Sequence, residues 1–137
     1  MIFDKVMGEG KLFKDKRLNC RNTRSVLVQK DLFTFEYGSP VAAYKYSNFT
    51  YALQLSKTTL ATLFRNEYLR WFSVANMANN LIVLTGGDQL DNIKSAKTFM
   101  MEVKTGKWKQ QSLPDLNLAR SNHSSCCIDD HVYVACG

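Results

Sequence analysis

The chain has 137 residues, of which 45% are hydrophobic and 22% charged, a composition that fits one modest globular domain and excludes a disordered polypeptide. Its formal net charge is +6, and most of the excess lies in residues 1–30. We interpret this basic stretch as a solvated leading segment. No interleaving of aromatic side chains supports a nucleic-acid surface there, so we do not expect nucleic acid as a partner.

Membrane and secretory segments are not expected. No apolar run approaches the roughly 18 residues that cross a bilayer, and the first five residues, Met1–Lys5, lack the apolar region of a signal peptide. The four cysteines, Cys20, Cys126, Cys127 and Cys136, show neither a CxxC pair nor the spacing of a disulfide framework. We therefore predict a cytoplasmic protein.

The first recognisable element along the chain is a hairpin over residues 21–38. It opens with Arg21, turns at Lys30-Asp31, continues as the apolar run Leu32–Phe35 and ends on Gly38. Residues 1–20 before it contain no clear unit, although Lys11–Phe13 is a candidate last strand of a preceding partial unit.

The segment after this hairpin is harder to assign. Phe49–Leu55 is predicted as a strand and Ser56–Thr59 as the turn that follows it. Apolar and aromatic residues between Leu60 and Trp71 fall at helical spacing, which permits a short helix over Thr59–Arg70. The repeat described below makes the same segment a strand and a loop, and we favour that assignment.

The second hairpin has the strongest pattern. Its core is the run Leu81–Thr85, followed by Gly86 and Gly87. A short apolar run without polar alternation indicates a strand that is buried on both faces. The paired glycines indicate a backbone with positive φ or a close approach of another chain segment.

This hairpin recurs along the chain. Residues 70–87 and 120–137 align without a gap at an offset of 50. Residues 21–38 form a degenerate copy that lies 49 residues before residues 70–87. Each complete copy has an Arg, an Asx pair (Asn79-Asn80 or Asp129-Asp130), an apolar run and a final Gly. Asn and Asp tolerate the left-handed conformation of tight hairpin turns.

Two further strands complete the second unit. Thr98–Val103 is predicted as a strand, Lys104–Lys107 as a turn, and Trp108–Gln111 as the fourth strand, which Leu113–Asp115 ends. One unit is therefore four antiparallel strands in about 50 residues.

The repeat resembles the kelch repeat of β-propellers in its Arg, its Gly-Gly, its later Trp and its period. The matching residues are Arg70, Gly86, Gly87, Trp108 and Arg120. There are departures, since Met101 replaces the aromatic residue of the pattern and Cys136 replaces the first glycine of the last pair. The structural repeat positions are Arg21, Gly38, Arg70, Gly86, Gly87, Trp108 and Gly137.

This resemblance implies an all-β fold of four-stranded antiparallel blades. It divides the chain into a basic segment (1–20), a degenerate blade (21–69), a clear blade (70–119) and the first hairpin of a truncated third blade (120–137). In such a fold Trp108 and Phe99 pack between neighbouring blades. Propellers close with about four to eight blades, so we expect a fragment of a longer protein; assembly with other chains and a truncated product are the alternatives.

The chemistry-bearing residues give no catalytic or metal site. His123, Cys126, Cys127, His131 and Cys136 lie close in sequence, but not at the spacing of zinc ligands, and strand alternation sends the adjacent cysteines to opposite faces. Neither a nucleophile elbow nor a phosphate-binding glycine loop is present in the sequence. We predict no enzyme activity, no metal and no cofactor.

Function is therefore expected on loops. In kelch proteins the loops between the second and third strands, and between one blade and the next, commonly bind partners. The resemblance implies an adaptor or scaffold that binds another protein, such as a ubiquitin-ligase component, a substrate or a cytoskeletal protein including actin. The alternative is that the chain is part of a propeller enzyme or of a metal-binding kelch-like protein. The candidate partner-binding residues, all expected to be exposed, are Trp71, Phe72, Gln89, Arg120, Asn122 and His123. Arg70 and Arg120 have a competing structural role as side chains that hold loop carbonyls.

Overall fold

A computed structural model describes residues 2–4, 9–11, 23–29, 31–38, 41–46, 58–63, 68–78, 80–109 and 113–137. The fold is all-β: these residues form strands and connecting loops, with one short 3-10 turn at Leu90–Asn92 in this part of the chain. The strands are β1 (Ile2–Asp4), β2 (Glu9–Lys11), β3 (Thr23–Val28), β4 (Asp31–Glu36), β5 (Val41–Tyr46), β6 (Thr58–Leu63), β7 (Ser73–Met77), β8 (Leu81–Thr85), β9 (Thr98–Glu102), β10 (Lys107–Lys109), β11 (Ser124–Ile128) and β12 (His131–Ala135).

The strands form four antiparallel sheets in sequence order. Two sheets have four strands, β3-β4-β5-β6 and β7-β8-β9-β10, and two have two strands, β1-β2 and β11-β12. The first strands of the last three sheets lie beside one another, β3 next to β7 and β7 next to β11. These three sheets therefore stack as repeated units, as the sequence period predicts.

The hairpin turns follow local sequence. Asp129 and Asp130 join β11 to β12 with φ values of 46° and 59°, and two positive φ angles match the twist of the flanking strands. The first hairpin differs from expectation: its turn contains Gln29 (φ 56°) and not Asp31, because Asp31 is the first residue of β4 and pairs with Val28. The prediction of a Lys30-Asp31 turn was wrong by one residue.

The third strand of the first full sheet was also misplaced. The sequence predicts it at Phe49–Leu55, whereas β5 covers Val41–Tyr46, and residues 49–55 lie outside the described ranges. The connection between the second and third strands differs in length: it is short between β4 and β5 and long between β8 and β9. The fourth strands, β6 and β10, nevertheless start 49 residues apart. A fixed period therefore locates the fourth strand correctly and the third incorrectly.

The ambiguous segment after residue 58 is a strand at its beginning. Thr58–Leu63 forms β6, which pairs antiparallel with β5. The preference for a strand over a helix is confirmed for these residues, and the predicted turn at Ser56–Thr59 was wrong at its last two positions. Residues 64–67 lie outside the described ranges.

The core lies between the two four-stranded sheets. Phe33 and Phe35 of β4 belong to the same buried cluster as Ile82 and Leu84 of β8. The Trp108 ring of β10 lies 6.0 Å from the Phe35 ring, at an angle of 55°. Residues Ile82–Thr85 are all buried, as expected for a strand with a packed sheet on each face.

The two glycines after β8 are required by their backbone geometry. Gly86 and Gly87 have φ values of 59° and 111°. A Cβ atom on Gly86 would lie 2.5 Å from the carbonyl oxygen of Arg120, and one on Gly87 would lie 2.8 Å from that of Arg70. Among the other repeat positions, Gly38 lacks a positive φ, and Arg21 lies outside the described residues.

Candidate functional site

Three segments meet at one edge of the stacked sheets, and we call this region the loop edge: residues 68–72, 86–97 and 113–123. They meet there because β7, β9 and β11 all start at the edge where β8 ends, as the antiparallel registers of β7-β8 and β8-β9 require. The loop edge therefore contains the two kinds of connection in which the kelch resemblance places partner binding.

Backbone hydrogen bonds join the segments into one surface. Gly87 N–H donates to the Arg120 carbonyl at 2.8 Å, and Arg120 N–H donates to the Ser95 carbonyl at 3.2 Å. Leu116 N–H donates to the Ala96 carbonyl at 2.8 Å. The segment at 113–123 is thus fixed against the 86–97 loop at several points.

The segment at 68–72 is held in the same way. The N–H of Asn122 donates to the carbonyl of Trp71 at 2.8 Å, and Arg70 and Asp88 exchange two backbone hydrogen bonds of 3.0 and 2.7 Å. Loops that are hydrogen bonded on both sides present their side chains from defined positions. The loop edge is therefore a preformed surface.

Three of the predicted binding residues contribute to this surface. Trp71 is 39% exposed, and its ring lies 5.9 Å from that of Tyr37. Asn122 is exposed and adopts a left-handed φ of 53°. Gln89 is half-buried, and its N–H donates to the Ile93 carbonyl at 2.8 Å.

Two other predicted binding residues are buried, so the expectation that they are exposed was wrong. Phe72 is 0% exposed and packs edge-on against Tyr37, with ring centroids 4.9 Å apart. His123 is 4% exposed, and its Nε2 lies 2.9 Å from the Thr85 hydroxyl oxygen. Each precedes the first strand of its own sheet and packs against a residue at the end of a strand in the preceding sheet, Tyr37 after β4 and Thr85 of β8.

The two arginines have structural contacts. Arg120 is half-buried, and its Nη1 donates to the Cys136 carbonyl at 3.1 Å, across the end of the last hairpin. Arg70 donates from Nη2 to the Asn92 side-chain oxygen, and its guanidinium lies 5.9 Å from the Tyr68 ring centroid. Arg120 therefore holds a loop carbonyl, the competing role stated for it above, whereas Arg70 holds a side-chain amide.

Sequence reasoning missed the most exposed apolar residues of the loop edge. Leu118 is 67% exposed, and Leu90 and Ile93 are exposed to a similar degree. They lie in polar loops, outside any periodic pattern. The signal that could have identified them is the presence of large aliphatic residues in a segment otherwise rich in Asp, Asn and Lys.

Burial lowers the pKa of His123 below its ordinary value of 6.5, and the nearby positive charge of Arg120 lowers it further. The folded protein therefore holds this imidazole neutral, and its Nδ1 has no hydrogen-bond partner among the described residues. When the pH falls below about 6.5, the unfolded chain binds a proton that the folded chain does not.

We expect the free energy of unfolding to decrease as the pH falls from 7 toward the pKa of folded His123, with no such loss above 7. Urea denaturation at a series of pH values measures this dependence. In His123→Gln, which keeps a polar group near Thr85, the decrease over that window should become smaller. An unchanged pH profile in this variant would show that His123 is not the responsible group.

The cysteines and histidines of the last hairpin do not form a cluster. Cys126 is exposed and Cys127 half-buried, and burial together with the nearby Asp130 raises the pKa of the Cys127 thiol. Within the ranges that the structure describes, no three His, Cys, Asp or Glu side chains are grouped so that they could hold a metal ion. No described helix has the length and apolarity to cross a membrane.

Comparisons with known proteins add information on the fold. No family model matches the chain, and no curated protein does. Among solved structures, that of YjhT is similar, with a TM-score of 0.65 and 15% sequence identity over 82% of this chain. The match covers 33% of the YjhT chain, so this chain spans about a third of that structure. At this level of identity the likeness concerns the fold alone.

Proposed function

We propose that this chain is a segment of a kelch-type β-propeller, located in the cytoplasm, that binds another protein through its loop edge and has no catalytic activity of its own. The architecture is supported by stacked sheets whose first strands β3, β7 and β11 are neighbours. It is also supported by the Gly-Gly that ends β8 with two positive φ angles, in register with Cys136 and Gly137 (φ 66° and 95°) at the end of the last hairpin.

One observation carries the binding proposal: large apolar side chains are exposed on a hydrogen-bonded surface. Trp71 comes from one segment, Leu90 and Ile93 from the second, and Leu118 from the third. Apolar groups that are grouped on a rigid surface and rimmed by polar residues are typical of protein interfaces. Asp91 and Lys94 are exposed beside them and provide such a rim.

The chemistry of this surface indicates the class of partner. Its large exposed apolar side chains are one aromatic and three aliphatic. Its exposed charges have both signs, and Lys97 is paired to Asp115 at 2.9 Å. A surface of this kind fits an apolar protein segment better than a polyanion, which needs an excess of positive charge. We therefore propose a protein partner that packs apolar side chains against Trp71 and Leu118.

Substitution of the most exposed apolar residue of the loop edge tests the proposal. We expect Leu118→Asp to reduce capture of the partner about tenfold or more, because central apolar contacts dominate interface energies. The measurement compares proteins retained from a cell extract by the immobilised wild type and variant, with quantification by mass spectrometry. Species that the immobilised wild type retains and a blank matrix does not retain count as partners.

A matched control separates the loop edge from a general effect of charge. Ala78 lies in the β7-β8 turn at the opposite edge, is exposed and has a φ of 52°, a conformation that Asp tolerates. Ala78→Asp should retain the partner as the wild type does. Equal retention by Leu118→Asp and Ala78→Asp would reject the loop edge as the binding surface.

A further inference from the structure

The loop that follows β8 is closed into a small projection. Asp88 and Lys94 pair as an isolated antiparallel bridge, and the N–H of Gln89 donates to the Ile93 carbonyl at 2.8 Å. Residues 90–93, which lie beyond this closure, are all exposed. A closed loop whose outer residues are all exposed stands out from the surface around it, so this part of the loop edge is convex.

Two aliphatic residues, Leu90 and Ile93, flank the turn at the end of this projection, and we call them the apolar tip. They are 63% and 59% exposed. Asp91 and Asn92 between them have left-handed φ values of 63° and 60°, a conformation that Asp and Asn adopt more readily than other residues with a side chain. A four-residue turn brings its first and last Cα atoms within about 7 Å. The turn therefore places the two aliphatic residues side by side.

Arg70 ties this projection to the neighbouring segment of the loop edge. Its Nη2 donates to the side-chain oxygen of Asn92, and its backbone exchanges hydrogen bonds of 3.0 and 2.7 Å with Asp88. One residue thus contacts both the turn and the base of the loop. A loop that is fixed before binding loses less conformational entropy when a partner engages it, so these contacts prepare the apolar tip for an interface.

We infer that Leu90 and Ile93 insert into an apolar pocket of a folded partner protein, and that Arg70 is the positioning residue of this tip. The inference rests on the proposed function and specifies the shape that the partner offers. A convex tip is desolvated on all sides only by a concave site, and the side chains that dominate interface energies lie in such desolvated pockets. An extended peptide would cover one side of the tip and leave the other in water.

The charges beside the tip describe the rim of that pocket. Asp91 and Lys94 are both exposed, and neither forms an ion pair within the described part of the chain. Interfaces place opposite charges across from each other, which excludes partners with like charges at those places. The pocket should therefore carry a basic group that faces Asp91 and an acidic group that faces Lys94.

A photoreactive residue at the tip tests the shape of the partner site. Benzoylphenylalanine replaces Leu90 in the test protein and the exposed Ala78, at the opposite edge, in the control. After irradiation in a cell extract, mass spectrometry locates the crosslinked residues. We expect position 90 to crosslink one protein at apolar residues that lie far apart in its sequence, as the walls of a folded pocket do. Equal crosslinking from position 78, or crosslinks confined to one short stretch that binds equally well as a synthetic peptide, would overturn the inference.

The crosslinked protein, produced in pure form, is then the probe for affinity measurements by biolayer interferometry. Leu90→Asp should raise the Kd about tenfold or more, because it places a charge in the apolar pocket. Asn92→Gly permits the same left-handed backbone but removes the acceptor for Arg70, and it should raise the Kd about threefold or more. Asn92→Asp keeps an acceptor for Arg70 and should stay within about twofold of the wild type. Equal Kd values for the two Asn92 variants would contradict the positioning role.

A double-variant cycle separates positioning from direct contact with the partner. Arg70→Ala should weaken binding in the wild-type background and have little further effect in Asn92→Gly, since both changes remove the same hydrogen bond. Additive losses would show that Arg70 acts independently of Asn92. A Leu118→Asp protein that loses the partner, together with a Leu90→Asp protein that keeps it, would overturn this inference and leave the proposed function intact. Retention by both would reject the loop edge itself.

Discussion

Phe72→Ala should lower the free energy of unfolding by about 4 kcal/mol, the size expected when a fully buried aromatic side chain is truncated. Phe72 is 0% exposed and packs edge-on against Tyr37. Its removal leaves a cavity in the buried cluster and also removes the aromatic contact with Tyr37. Urea denaturation followed by circular dichroism measures the change.

The neighbouring residue provides the control. Trp71 is larger than Phe72, yet it is partly exposed, so Trp71→Ala should cost about 1 kcal/mol or less. The two variants should therefore lose different properties: Phe72→Ala loses stability, and Trp71→Ala loses partner binding. Similar losses of stability in both variants would contradict the burial of Phe72 and the exposure of Trp71 described above.

Gly87→Ala is expected to lower the free energy of unfolding by about 3 kcal/mol. The φ of 111° is a conformation that is almost confined to glycine, and the added Cβ would lie 2.8 Å from the Arg70 carbonyl oxygen. That oxygen accepts a hydrogen bond from Asp88, so it cannot move away without loss of the contact between two segments of the loop edge. The melting temperature and the urea midpoint should both fall.

Gly38→Ala is the comparison for this substitution. Gly38 occupies the corresponding place in the first hairpin, but its φ is not positive. Alanine there should change stability by less than about 1 kcal/mol, since no left-handed strain is introduced. A loss at Gly38 as large as that at Gly87 would mean that close packing, and not backbone conformation, makes these glycines necessary.

Several features of the fold could be predicted because their causes are local. The apolar run of β8 indicated a strand buried on both faces, and residues 82–85 are buried. The Asx pair at Asp129-Asp130 indicated a tight turn, and both residues adopt positive φ. The hairpin pattern at a period near 50 correctly predicted repeated antiparallel sheets.

The predictions that failed depended on relations between distant segments. The period alone placed the third strand at Phe49–Leu55, because a fixed repeat cannot show that the connection between the second and third strands is short in one sheet and long in the other. Phe72 was expected on the surface since it follows Trp71 in a loop. Leu118 was not recognised because it lies in a polar loop, outside any periodic pattern.

For this protein, sequence alone was sufficient for the class of fold, the repeated hairpins and the need for glycine at Gly86 and Gly87. These features follow from alternation, turn propensity and backbone sterics, which act within a few residues. The exposure of each loop residue depended on the packing of sheets far apart in the chain. His123 is buried because β11 stacks on the sheet that contains β8, whose last residue is Thr85. Leu118 is exposed because its loop is hydrogen bonded to Ser95 and Ala96 with the Leu118 side chain outward. Burial is a property of the neighbours across an interface, and no local pattern encodes them.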